Sequence, residues 1–106
     1  MKNIINLYDD QNWENAIEYS DGTKRKVLRN ENGARTVLLK IPKGFRMAPH
    51  SHVVTEQHFI LEGEYKSHNK TFSAGSYQVF YPHEEHGPFE SAGALILIVW
   101  DPLKTN

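Results

Sequence analysis

Apolar and branched residues recur along this chain in short alternating runs, parted by Gly, Pro and Asn at intervals of about eight to twelve residues, the spacing of an all-β sandwich or barrel. Residues 24–29 and 35–41 read as two strands separated by Asn30, Glu31, Asn32 and Gly33. Asn-Gly is a strong hairpin signal because both residues tolerate positive φ, so these strands are expected to pair antiparallel. Pro42, Lys43 and Gly44 predict a second turn, and Pro49 biases Ala48 toward an extended backbone. Residues 55–61 form the next run, and Gly63 is expected to interrupt it before 64–67. His68, Asn69 and Lys70 turn the chain, 71–73 return, and Ala74 with Gly75 turn it again. The aromatic and branched run 77–81 reads as a strand ended by Pro82. Residues 95–100 are apolar at every position, which predicts a strand covered on both faces, within the barrel or by a partner subunit.

The first 20 residues carry less pattern. Trp13, Ala16 and Ile17 fit either one turn of helix or an irregular edge strand, and Tyr8 and Trp13 are expected to pack against the outside of the strands. No helical period follows, so the chain predicts one all-β domain over 1–106, near the commonest domain size.

Charge narrows the partners. Twelve Lys and Arg against 13 Asp and Glu give a formal charge of −1, without the basic footprint that nucleic acid or an anionic membrane would require. The first ten residues lack the apolar core of a secretory leader. The longest apolar run, 94–100, is seven residues, against roughly 20 for a membrane-spanning helix. These features point to a soluble, cytoplasmic protein with small-molecule or protein partners. The absence of cysteine removes disulfides, thiolate ligands and cysteine nucleophiles, so a bound metal must use His and carboxylate.

All six histidines fall between positions 50 and 86. His50 and His52 are one residue apart, so on an extended chain both imidazoles project to one side, and Glu56 shares their parity. An imidazole pair with a carboxylate suits a divalent transition metal (Zn, Fe, Mn or Ni) better than calcium or magnesium. A fourth ligand can come from His83 or His86 in the loop after Pro82. The run His83-Glu84-Glu85-His86 is not a helical zinc motif, because its histidines are three apart and prolines on both sides leave no helix. His58 shares the parity of Glu56. It fits a catalytic acid or base, a buried hydrogen-bonded residue, or a partner orienting Glu56. Arg46, in parity with His50, fits either an anionic substrate group or the solvated rim.

The stretch GFRMAPHSHVVTEQHFILEG, residues 44–63, resembles the first motif of the cupins: a Gly, five residues, His-x-His, a short spacer, Glu, six residues, Gly. Gly44, His50, His52, Glu56 and Gly63 match without a gap. The second cupin motif, from a Gly to a His eleven positions on, is matched by Gly75 and His86. His83 stands where a mid-motif Gly is usual, and Glu90 where a final Asn is usual. Trp13, Asp21-Gly22, Leu28 and the ending GALILIVWDP are similar to the cupin domain of ChrR-type anti-sigma factors. The resemblance implies a double-stranded β-helix, or jelly-roll, barrel of two antiparallel sheets. It implies one divalent transition metal held by His50, His52, Glu56 and His86.

It also implies a metal-dependent enzyme acting on a small organic substrate, either dioxygenase-like or of an isomerase or lyase kind. The alternative it implies is a metal-dependent small-molecule sensor or binding module without turnover. A homodimer is expected from the two-faced apolar strand 95–100 and the N-terminal aromatics, since many cupins pair through edge strands.

Overall fold

A computed structural model describes residues 4–103. The span 1–106 and the reading of the first ten residues therefore extend at the ends beyond the described residues. Seven strands follow in order: β1 (Glu14–Asn15), β2 (Lys24–Glu31), β3 (Ala34–Met47), β4 (Glu56–Ser67), β5 (Lys70–Ser73), β6 (Tyr77–Phe80) and β7 (Phe89–Trp100). The described residues contain no helix. All pairings are antiparallel, in the order β1-β2-β3-β7-β4-β5, with β6 on β4. The two halves of the expected jelly roll are thus one hydrogen-bonded ladder, bent where β3, β4 and β7 carry register shifts.

Local chemistry explains the connections. Asn32 (φ 51) and Gly33 (φ 83) close the β2–β3 hairpin with positive φ at both positions, as a type I′ turn demands. His68 (φ 52) and Asn69 (φ 64) close β4–β5 in the same way. The N-terminal alternatives resolve to an edge strand, with Glu14 opposite Arg25 and Asn15 opposite Lys24.

The turn expected at Pro42, Lys43 and Gly44 is instead a bulge inside β3. The register against β7 jumps between Lys43 and Phe45, and Gly44 supplies a φ of 88. A glycine bulge bends a strand without ending it. For the same reason β4 runs on through Gly63, with register shifts between Ile60 and Glu62 and between Gly63 and Lys66.

β7 owes its apolar character to its place in the middle of the ladder, between β3 and β4. On the inner face Val37 lies opposite Ile98, Leu39 opposite Ile96 and Ile41 opposite Ala94, and His58 and Ile60 of β4 meet Ile98 and Ile96 from the other edge. Phe45, Tyr65 and Phe89 complete this buried cluster, and each large side chain so buried contributes about 1.5–3 kcal/mol. On the outer face Lys26, opposite Leu38, is only 4 % exposed. Its ammonium lies 2.7 Å from Asp9 Oδ1 and 4.9 Å from the centre of the Trp13 ring. The N-terminal segment therefore straps across this face, as expected for Trp13. Tyr8 does not join it: local turns in which Asn6 and Asp9 side chains accept from Tyr8 N–H and Gln11 N–H leave its ring exposed.

Two glycines give a matched test of this geometry. Gly63 has a φ of 73, and an added Cβ would lie 2.1 Å from Gly93 O; Gly75 has a φ of 92 and open space around it. Gly75→Ala is expected to cost about 1 kcal/mol from backbone strain alone. Gly63→Ala adds overpacking of about 1–3 kcal/mol or more. Urea midpoints check this, and equal losses at the two sites would contradict the close β4–β7 approach.

Candidate metal centre

The two histidine-bearing loops are held together by their backbones. After β3 ends, Pro49 keeps the chain extended, and His50 forms an isolated antiparallel bridge with His86. His50 N–H donates to His86 O at 2.9 Å, His86 N–H donates to His50 O at 2.8 Å, and His83 N–H donates to His52 O at 2.7 Å. His50 and His52 thus lie in an extended loop segment outside the main strands, and alternation still puts their rings side by side, 5.0 Å apart. Gly87 lets the second loop come close: an added Cβ would meet Pro49 Cα at 3.3 Å. The His86 ring consequently sits 4.0 Å from that of His50.

One ring nitrogen from each of His50, His52 and His86 falls within 4.8 Å of the others, an arrangement positioned to bind a metal ion. His50 Nδ1 lies 3.1 Å from Ala48 O, and because a carbonyl only accepts, that nitrogen carries the proton and Nε2 is left free. His86 is 2 % exposed, and neither of its ring nitrogens has a hydrogen-bond partner. Each such buried orphan costs about 1–3 kcal/mol. A cation among the three rings satisfies one of them, so the residues fit a divalent transition ion. Burial, reinforced by His50, His52 and His58 and opposed by Glu56, pushes the His86 pKa down to about 4. The ring is therefore neutral near pH 7, the form that ligates.

Glu56, the first residue of β4, stands beside this cluster. It is 4 % exposed. Its Oε1 accepts from Trp100 Nε1–H at 2.6 Å and lies 3.1 Å from His52 Nε2, and its Oε2 lies 2.5 Å from His58 Nε2. Burial alone would raise its pKa. The His58 hydrogen bond and electrostatic attraction, the attraction of His86 in its acid form and the Trp100 bond together outweigh burial and hold the carboxyl below the usual range. Glu56 is not one of the three residues whose ligand atoms converge most closely, but Oε1 faces the same space as His52 Nε2.

His58 has both nitrogens engaged, with Glu56 on one side and Tyr65 OH at 3.0 Å on the other. Tyr65 OH donates to Gln78 Oε1. Burial, then Glu56, holds the Tyr65 hydroxyl far above its ordinary pKa, so it remains a neutral donor. His58 is thus packed into a relay that orients Glu56. The cavity inside the barrel next to His50 and Glu56 measures about 20 Å³ and is lined by Leu39, Ile41, Phe45 and Ile98, room for about one water.

The structure brings His50, His52, His58, Glu56 and His86 together, and Arg46 and His83 stand apart from them. Arg46 is exposed on β3 and lines a different, outer groove with Lys66 and Glu90, because Phe45 takes the inward position next to it. His83 is exposed at a φ of 67 and contributes only its backbone. Trp100, Tyr65 and Gln78 are site residues that sequence reasoning missed. The signal for Trp100 was the register that sets it opposite Glu56, visible only once β7 is paired with β4.

A family described as the ChrR Cupin-like domain matches residues 1–104. No curated protein matches the chain. Among solved structures, ChrR of Rhodobacter sphaeroides in complex with SigE is similar at 24 % identity and a TM-score of 0.71, over 91 % of this chain and 51 % of that one. The chain thus spans about half the length of ChrR. An acetylacetone dioxygenase from Acinetobacter johnsonii is similar at 18 % identity and a TM-score of 0.76, over 92 % of this chain and 72 % of that one. KdgF from Halomonas sp. is similar at 20 % identity and a TM-score of 0.69, over 96 % and 93 % of the respective chains. Identities this low speak for the fold alone, whereas the family match runs through both histidine loops and every strand: the chain belongs to the ChrR Cupin-like domain family.

Proposed function

We propose that this chain is a metal-dependent cupin, built as one domain, that holds one divalent transition ion with His50, His52, Glu56 and His86 and acts on a small organic molecule. The observation that carries this reading is His86, buried with two unpartnered ring nitrogens against His50 and His52. When bound, iron, manganese or nickel supplies oxygen or enolate chemistry of the kind the dioxygenase likeness suggests, and zinc supplies Lewis acidity. The chain does the rest. Trp100 and His58 fix the Glu56 carboxylate, Tyr65 and Gln78 fix His58, and the narrow apolar interior limits water beside the cluster. His58 is accordingly a positioning residue in this account.

A second reading, a sensor without turnover, draws on the likeness to ChrR, a protein seen in complex with SigE. The two readings part on turnover: the enzyme consumes its ligand, and the sensor releases it unchanged. We also propose a homodimer through the outer face of the ladder. There Phe59, Leu97 and Val99 are only partly covered and Tyr77 is 50 % exposed. Sedimentation of a particle of twice 12.2 kDa is expected, and a monomer at micromolar concentration would contradict it.

Metal retained after dialysis tests the ligand set. His86→Ala is expected to empty the site while His83→Ala leaves it full, and the reverse result would sink the assignment. His58→Phe, which removes the partner of Glu56 but no ligand, is expected to weaken metal binding by about 10–100-fold; unchanged affinity would remove His58 from the account.

Acid titration gives an independent check on the metal-free protein. His86 titrates at about 4 when folded, below its ordinary 6.5, so between these values the unfolded chain binds more protons. Stability is therefore full above about pH 6.5 and falls as the pH drops toward 4. Glu56, whose folded pKa is also depressed, adds loss in the same direction at lower pH. Urea midpoints that hold steady across this range would contradict a buried, neutral His86.

A further inference from the structure

Arg35 is the charged residue that the metal reading leaves without a task. It lies on β3 in step with Val37, Leu39 and Ile41, on the face that fills the core, and it is half-buried at the end of the strand. Among the described residues it makes no ion pair. Its guanidinium stacks over Trp100, 5.0 Å from the ring centre. Arg25, which lines a common pocket from β2, differs: Glu14 holds it at 2.8 Å and Glu18 binds it from a second side.

The pocket, of about 110 Å³, opens between these residues, with Glu18, Tyr19, Arg35, Leu39 and Trp100 in its walls. Tyr19 and Leu39 line this pocket and also the interior cavity beside His50 and Glu56. The pocket and that cavity therefore lie side by side. Trp100 lines the pocket with its ring under Arg35, and its Nε1–H reaches Glu56. The Tyr19 hydroxyl lies within electrostatic reach of both ends. Burial, then Glu56 and Glu18, raise its pKa, and Arg35 and Arg25 oppose the rise. Its loop is pinned, since Tyr19 N–H donates to Ala16 O at 3.1 Å and Ser20 Oγ–H donates to Arg46 O at 2.8 Å.

We propose that Arg35, with Tyr19 and Trp100, forms a subsite that recognises the carboxylate of a small organic molecule, next to the cavity beside the histidine cluster. An unpaired guanidinium matches a carboxylate in bidentate fashion, and one already stacked on an aromatic ring has less freedom to lose. The pocket is small against the roughly 300–1,000 Å³ of sites for drug-sized ligands, so it takes a carboxylate with a few carbons. Glu14, Glu18 and Arg25 together carry one net negative charge at the exposed rim. That charge repels polyanions and leaves a single carboxylate as the best match for Arg35. The subsite's role in a reaction rests on the cluster being the reacting centre; the subsite itself is tested separately.

Propionate, a weak chelator of the right size, is the probe. It is titrated into the full ¹⁵N-labelled chain, as purified and after treatment with a chelator, while the Trp100 indole N–H and Arg35 Nε–H resonances are followed. A saturable millimolar shift of both is expected in both preparations, with neutral propionamide roughly tenfold weaker or more. Arg35→Gln is expected to weaken propionate by a similar factor, Arg35→Lys to restore part of the loss, and Arg46→Gln, in the outer groove, to change nothing. Absence of a saturable shift, equal affinity in Arg35→Gln, or a shift that vanishes once metal is removed overturns the subsite. The last of these would leave the metal reading standing. Conversely, an Arg35-dependent shift in a protein found to hold no metal would support the subsite and refute the reacting centre.

Discussion

The paired backbone hydrogen bonds between His50 and His86 are the constraint on which the rest of the site depends. Neither residue lies in one of the long strands, and their separation is set by carrying the β3–β7 register, which stops at Met47 opposite Phe89, three residues further. The bridge makes the two loops a short antiparallel pair, and Gly87 permits it by giving up the Cβ that would press on Pro49. Once the loops are joined, His52 follows by alternation and His83 is turned outward on the same hydrogen-bonded scaffold. The three rings then converge with few degrees of freedom left to lose on binding an ion.

That convergence is costly without a cation. A neutral His86 with two orphaned nitrogens, packed against two further imidazoles, is an arrangement that apolar residues of the same shape would make more cheaply. The buried carboxylate of Glu56 is handled differently. It accepts from Trp100 and His58, and behind His58 the Tyr65 and Gln78 groups close the relay. The barrel thus compensates its acid through its own hydrogen bonds while leaving its base unpaired. A positive charge placed between them relieves both.

Much of the fold was legible because its signals are local. Asn32-Gly33 and the positive φ it tolerates fixed the first hairpin, and alternation in 35–41 and the aromatic run 77–81 marked strands in place. Glycines were read less well. Gly44 and Gly63 carry the same φ > 0 signature in a turn as in a bulge, and only the partner strand decides between the two. The histidine spacing in the first loop was legible because an extended segment alternates whether or not it belongs to a sheet. Of the two alternatives for Arg46, the alternation of 45 and 47 with the core favours the rim by turning it outward, whereas Arg35, eleven positions earlier, shares the inward face. Trp100 and Tyr65 could not be read from local pattern at all, since their contact with the site depends on the β4–β7 register and the bend in β4.

X-ray absorption at the metal edge, on the full chain purified without added metal, reads the ion and its nearest ligands together. About one equivalent of a divalent transition metal is expected, with a nearest shell dominated by imidazole nitrogen, at roughly 2.0–2.1 Å if the ion is zinc. Protein that carries no such metal and takes none up, or a bound ion with an all-oxygen shell, would contradict the metal centre.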